Sequence, residues 1–341
     1  MKLFGKTWTR RALMERIGHV SQVGGIRRFT MVEGPERGVE VARLDTGTGF
    51  AFTVLLNRGL DVYEAHDHGQ SLSWHSATGA PHPAHCDLSG RNWLKTFQGG
   101  LVTTCGMGWA GAACIDEGQE LGLHGRASSL SAEHLTVAGD WEGDEYVMRV
   151  EGQLREAEVF GTNFLLKRRI TARLGEPRLT IEDEVENEGW DPQPHMMLYH
   201  CNFGYPLLSE ETRLVIPATR TVLRETKQPP PKAMFLKVHS PRKGFAEEVF
   251  YHTVPSGKTA EIRLEKRGFG GPGGRGAYLR YSRDTLPNLI QWKMTGQGTY
   301  VMAFEPANCW VEGRDVDRRN GVLRFLTPGK KVRYRLEIGR L

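Results

Sequence analysis

Three short segments hold the residues whose chemistry most needs an explanation. They are Leu121-Gly-Leu-His124-Gly-Arg126, Met196-Met-Leu-Tyr-His200-Cys-Asn202-Phe-Gly-Tyr-Pro206 and Val301-Met-Ala-Phe-Glu305-Pro-Ala-Asn308. Each sets an ionisable side chain in an apolar or glycine-bounded stretch near an expected strand end. If the third is a regular strand, Val301, Ala303 and Glu305 share one face, and a carboxylate on that face needs a partner or a task. Together the segments offer a histidine able to give a proton (His200), a carboxylate able to take one (Glu305) and a His124/Arg126 pair able to hold hydroxyls or an anion. That is the inventory of general acid–base chemistry on a sugar. The plainer alternative pairs Glu305 with an arginine and leaves His200 as a satisfied core histidine.

Other chemistries find less support. His66, His68, His75, His82, His85 and His124 crowd into about sixty residues, which invites a metal site. However, His66-Asp67-His68 lacks the following carboxylate a cupin-like site would want, and neither His-Glu-x-x-His nor zinc-finger spacing occurs. Gly-x-Ser-x-Gly is absent. Cys201 beside His200 and Cys86 beside His85 are strand or loop neighbours, which point to opposite faces in a strand and so make poor nucleophile–base pairs.

The elements that must position these residues read as strands. One segment has helical spacing, with Leu13, Ile17 and Val20 after a candidate N-cap at Thr9 and a stop at Gly18 or Gly24-Gly25. From about residue 38 the period becomes two, as in Val39–Leu44, Phe50–Leu55, Tyr146–Val150, Phe164–Ile170 and Leu179–Val185. Turn signals interrupt the strands at short intervals, and crossover helices for a parallel sheet are missing. The expectation is an all-β fold of large antiparallel sheets: a helical adjunct over residues 1–30, then one β-sandwich domain over 31–341. The proline run Gln228–Lys232 and the glycine-rich stretch Gly268–Gly276 read as loops, since strand-like sequence resumes after both.

Composition narrows the partners. The net charge of +5 comes from 45 basic and 40 acidic residues, too even and too scattered for a nucleic-acid footprint. The run Lys167-Arg168-Arg169 reads as a solvated strand or loop face. Five cysteines without Cys-x-x-Cys spacing in a chain with ample core read as reduced thiols. No secretory leader pattern and no run of about eighteen apolar residues is present, so the expected setting is cytoplasmic, away from membranes.

In this order, the segments resemble the galactose mutarotase (aldose 1-epimerase) superfamily, specifically a poorly characterised bacterial branch of it. The resemblance spans nearly the whole chain. It rests on Asn57-Arg58-Gly59-Leu60-Asp61, Gly99–Gly106, Leu123-His124-Gly125-Arg126, Ile181–Asn187, His200 with Gly204-Tyr205-Pro206, and Glu305-Pro306. It implies a β-supersandwich that binds a small carbohydrate, with Glu305 as catalytic base, His200 as general acid, and His124 and Arg126 as substrate-holding residues. Gln291-Trp292 resembles a strand that lines the sugar. Glu247 and Glu248 are positional candidates for a further acidic ligand, and Arg126 resembles the hexose-phosphate branch. Arg58 and Trp74 are additional substrate-binding candidates, ahead of Asn92 and Trp93. The implied chemistry is interconversion of α and β anomers, and it needs no cofactor. A carbohydrate-binding protein without turnover, and a metal-dependent sugar isomerase or lyase built on the His66–His85 cluster, remain as alternatives. The sequence leaves the sugar and the oligomeric state open.

Overall fold

The computed structural model describes all residues, 1–341. Three antiparallel sheets dominate. The largest has eight strands in the order Glu133–Glu142, Glu145–Ala157, Asn163–Arg173, Arg178–Asn187, Lys331–Arg340, Gly276–Ser282, Thr259–Glu265 and Arg213–Val215. A six-stranded sheet runs Arg220–Leu223, Glu248–Thr253, Asn288–Gly296, Thr299–Ala307, Met196–Gly204 and Thr103–Met107. A five-stranded sheet holds Gly25–Thr30, Glu40–Asp45, Phe50–Leu55, Asp61–Asp67 and Gln70–Ser71. Single bridges, Val62 to Val102 and Ser73 to Phe203, stitch this sheet to the six-stranded one.

Period-two alternation explains how the sheets stack. Leu166 and Ile170, Leu179, Ile181 and Val185, and Leu336 and Ile338 point inward from the large sheet. Tyr199, Cys201 and Phe203, with Met302 and Phe304, meet them from the six-stranded sheet. The residues between those, Met196, Leu198, Ile290 and Ala307, face the other way and join Trp93, Phe97, Val249 and Tyr251 in a second apolar cluster. His200 and Glu305 belong to this second face. The all-β expectation is met.

Two expectations change. The N-terminal helix is a single turn, Arg10–Met14, capped by Thr9 Oγ1 accepting from Ala12 N at 3.1 Å. The apolar spacing up to Val20 serves a separate 3-10 turn, and Leu13 and Val20 pack with Leu3 and Leu174. Residues Gly25–Thr30 are already a strand paired with Glu40–Asp45, so the β domain begins before residue 31.

The basic run at 167–169 is also not a solvated face throughout. Lys167 and Arg169 are exposed, but Arg168 points inward and is 2% exposed. Its guanidinium donates to both oxygens of Asp183, at 2.9 and 2.6 Å, to Thr104 Oγ1 at 2.8 Å and to the Gly59 carbonyl at 2.8 Å. Asp61 lies 3.5 Å away, and Tyr199 donates its hydroxyl to Asp183. This ionic strut joins the large sheet to the strands beneath the site.

Candidate active site

His200 and Glu305 come from adjacent strands, Met196–Gly204 and Thr299–Ala307, which pair antiparallel. Alternation turns both onto the face away from the main core. His200 Nε2 stands 3.3 Å from Glu305 Oε1. His200 is 5% exposed and Glu305 2%. Burial pushes the Glu305 carboxyl up to about 8, with Glu247 adding to the rise and Arg224 opposing it. Burial pushes His200 down to about 3, aided by neighbouring His124 and opposed by the hydrogen bond to Asn202. Both shifts favour an uncharged pair holding one proton. The sequence expectation is Glu305 as base and His200 as acid; burial of both groups favours the proton on Glu305 instead.

The pair lines a cleft of about 750 Å³ whose other walls include Trp74, Trp93, Phe97, His124 and Trp292. Trp93 stacks on Phe97 at 4.3 Å between ring centroids, and the rings of Phe97 and Trp292 stand edge-on to His200 at 5.3 and 5.5 Å. Such apolar ring faces, with the indole N–H groups of the tryptophans as polar handles, suit the C–H faces of a sugar ring. At the rim the Trp292 indole donates to Glu247 Oε2 at 2.9 Å, while Arg224 lies 3.5 Å from Glu247 Oε1. A slightly larger depression of about 830 Å³ lies on the eight-stranded sheet. Its charged side chains pair across the strands, Arg333 with Glu184, Arg335 with Glu182 and, at its floor, the buried Arg168 with Asp183, and none of its lining residues is a histidine beside a buried carboxyl.

The sequence candidates divide. His124 lines the cleft and its Nδ1 is buried without a protein partner; an orphaned polar atom of this kind calls for a ligand or solvent partner. Burial also lowers its pKa to about 4, leaving the ring neutral. His124 and Gly125 both have positive φ, 61° and 80°. A Cβ at Gly125 would come within 2.3 Å of the Trp109 carbonyl, so glycine is required there. Past this turn Arg126 lies outside the cleft lining, half-buried, and its charge acts on the buried Glu156. The positive charge bearing on Glu305 is Arg224.

Trp74 is in the cleft, clamped where glycine leaves room: a Cβ on Gly99 or Gly204 would come within 2.7 or 2.8 Å of it. Arg58 is not in the cleft. It is 1% exposed and donates to the carbonyls of Pro81, Thr96 and Ser128 at 2.9, 3.1 and 3.3 Å, so it clamps the loops behind the wall. Gln291 points to the opposite face, accepting from His252 Nε2 at 3.0 Å and donating to the Phe235 carbonyl at 2.8 Å. Its neighbour Trp292 faces the cleft. Glu247 lines it too, while Glu248 lies 3.2 Å from Lys293 and outside the lining. Trp93 is a wall residue, and Asn92 instead donates to Asp87 at 2.7 Å.

The early histidines disperse. His68 contacts Asp67 and Arg340, His75 stacks on Tyr63 and bonds Ser73, and His82 caps a short 3-10 turn. No three His, Cys, Asp or Glu side chains converge on a common point. No helix is long and apolar enough to cross a membrane.

Sequence reasoning passed over Arg224, Phe97 and Arg91, which also line the cleft. Arg224 follows the strand Arg220–Leu223, and only the tertiary register brings it to the rim: its backbone N–H donates to the Val249 carbonyl at 2.8 Å, and Val249 sits opposite Trp292.

Several solved structures share this architecture. A candidate aldose 1-epimerase from Klebsiella pneumoniae superposes with a TM-score of 0.83 at 22% identity, covering 98% of this chain and 91% of that one. The Slr1438 protein from Synechocystis gives 0.65 at 18%, covering 92% and 99%. A galactose 1-epimerase from Lactobacillus acidophilus gives 0.58 at 14%, covering 93% and 99%. At these identities the likeness establishes the fold, a galactose mutarotase-like one. No curated protein matches the sequence. A family model described as a domain of unknown function, DUF4432, matches residues 36–339, and the chain belongs to that family.

Proposed function

We propose that the protein is an isomerase of the aldose 1-epimerase type, interconverting the α and β anomers of a small sugar held in the aromatic cleft. The observation that carries this reading is the buried Glu305–His200 pair, 3.3 Å apart, set among aromatic walls that enclose a sugar-sized cleft; the burial of both groups favours one proton between them. Ring opening needs one proton acceptor and one donor in the same place. The anomeric hydroxyl loses its proton, the C1–O1 bond becomes a carbonyl and the C1–O5 bond breaks. Its electron pair goes to the ring oxygen, which is protonated. Rotation about C1–C2 and the reverse steps close the other anomer.

Two sites holding one proton supply both functions in either tautomer. With the proton on Glu305, His200 Nε2 accepts and Glu305 donates; with the proton on His200 the roles exchange, and the return reaction restores the start. No electron is lost or gained, so the cycle balances without a redox cofactor. His124, with its unpartnered Nδ1, is a hydroxyl ligand in this reading, and Trp74 and Trp292 stack on the ring.

Dissolving single anomers of a panel of aldoses, deoxy sugars, uronic acids and sugar phosphates, and following optical rotation, tests the proposal. At least one sugar is expected to reach equilibrium many times faster with protein than with matched buffer. A protein that binds sugars but leaves every rotation curve unchanged would be a carbohydrate-binding module.

The pair also sets a pH signature. The one-proton state lies between the lowered His200 value, about 3, and the raised Glu305 value, about 8. The rate is expected to be flat between those limits and to fall about tenfold per unit above pH 8, as the last shared proton leaves. A steady rise in the enzymatic component through pH 9 would contradict a shared-proton pair.

A further inference from the structure

The aldose 1-epimerase reading leaves open what decides which nitrogen of His200 faces Glu305. Asn202, two residues along the same strand and fully buried, lies on the same face. Its Oδ1 is 2.6 Å from His200 Nδ1. Its Nδ2 is held by two carbonyls, Gly100 O and His200 O, both at 3.0 Å. Flipping the amide would set its oxygen against both carbonyl oxygens and its NH2 against the ring nitrogen, so the network fixes one orientation. An oxygen facing Nδ1 can only accept, and Nδ1 must then carry the hydrogen.

We infer that Asn202 is a positioning residue for catalysis: it locks His200 in the Nδ1–H tautomer, so that in the neutral ring Nε2 presents its lone pair to Glu305 and the sugar. The inference rests on the proposed acid–base role of His200. Without the lock, a neutral imidazole would also populate the Nε2–H form. Nε2 would then meet a protonated Glu305 as a donor, and the pair would present no basic lone pair to take the proton of the anomeric hydroxyl. The same residue places a cleft wall, because its main-chain carbonyl accepts from Trp74 N at 3.1 Å. The titratable groups around the His200 ring are Glu305 from the neighbouring strand and His124 from the facing loop, its ring centroid 5.7 Å away. Glu247 and Arg224 stand at the rim of the same cleft.

Imidazole 15N spectra of the wild-type protein, with His200 assigned by its loss in His200→Gln, test this directly and need no substrate. A protonated Nδ1 and an unprotonated Nε2 at pH 6 to 7 are expected. The reverse pattern, or averaged shifts for both nitrogens, would overturn the inference whether or not any sugar is turned over. Kinetics supply the second arm on whichever sugar exchanges. Asn202→Leu is expected to lower kcat by about 100-fold with KM within threefold, and its 15N pattern should average. Asn202→Asp, which keeps an acceptor at Nδ1 and adds a charge, is expected to retain more activity than the leucine variant and to move the acid limb of the pH profile upward by a unit or more. An Asn202→Leu enzyme with the wild-type kcat and pH profile would also overturn it. Should the leucine variant fail to fold, the wild-type spectrum and the aspartate profile still decide.

Discussion

Glu305→Gln is expected to lose at least about 1,000-fold in anomer exchange, as removal of an essential acid–base group typically does, and to become more heat-stable. Gln preserves the shape and can donate to His200 Nε2, but it cannot exchange a proton. The stability gain follows from linkage. The Glu305 carboxyl is raised from an ordinary 4.5 to about 8 by burial. The folded protein therefore binds this proton more tightly than the unfolded chain. The associated stability is fully present below about pH 4.5 and is lost as pH rises through 8. The Tm of Glu305→Gln should match that of the wild type near pH 4.5 and exceed it by about 5 °C at pH 9. Calorimetry at the two pH values checks this. An advantage for the wild type at pH 9 would mean that the ionised carboxylate has a stabilising partner.

Arg168→Met is expected to cost stability without touching the cleft. Arg168, Asp183 and Asp61 are all buried, and the guanidinium satisfies two carboxylates, a threonine hydroxyl and a main-chain carbonyl. Removing one partner of a buried ion pair leaves the other charges uncompensated, at about 3–5 kcal/mol. For a chain of this size that is a fall in Tm of about 5 °C. Arg168→Met with Asp183→Asn should recover part of it, since one orphaned charge is removed as well. Thermal denaturation of the single and double variants tests the strut; a fall of under 2 °C in the single variant would show that water reaches the site and solvates the carboxylates. The neighbouring substitutions Lys167→Met and Arg169→Met, on exposed side chains, should move Tm by no more than about 1 °C.

The same parity argument succeeds and fails in instructive places. Glu305 was legible because Val301 and Ala303 put it on an apolar face. Asp183 carries an equal signal: Ile181 and Val185 flank it at period two, so it too lies on the buried face, and the charge opposite it in the paired strand is Arg168. That was readable in the alternation, but a run of three basic residues looks solvated when counted as a block.

Gln291 and Trp292 show a harder limit. Strand alternation states that they face opposite ways, but which of them meets Glu305 depends on pairing register, and the register sets Ile290 opposite Glu305. The rim residues Arg224 and Glu247 lie just after one further strand and just before another, and no local pattern joins them to Trp292. The mutarotase-like architecture was legible in motif order; the one-turn helix was not, because the apolar spacing through Val20 is used by separate turns. Arg58 was misplaced for a chemical reason: an arginine beside a landmark serves three carbonyls as well as it would serve a substrate.

The central claim is that the Glu305–His200 pair exchanges anomers. It is tested most directly by magnetisation transfer between the α and β resonances of each sugar in the panel at equilibrium, with wild-type protein and Glu305→Gln measured side by side at pH 7. The account predicts transfer with the wild type for at least one sugar and none above buffer with the variant. Equal transfer in both would remove Glu305 from the chemistry, and no transfer by the wild type with any sugar would contradict the proposed reaction.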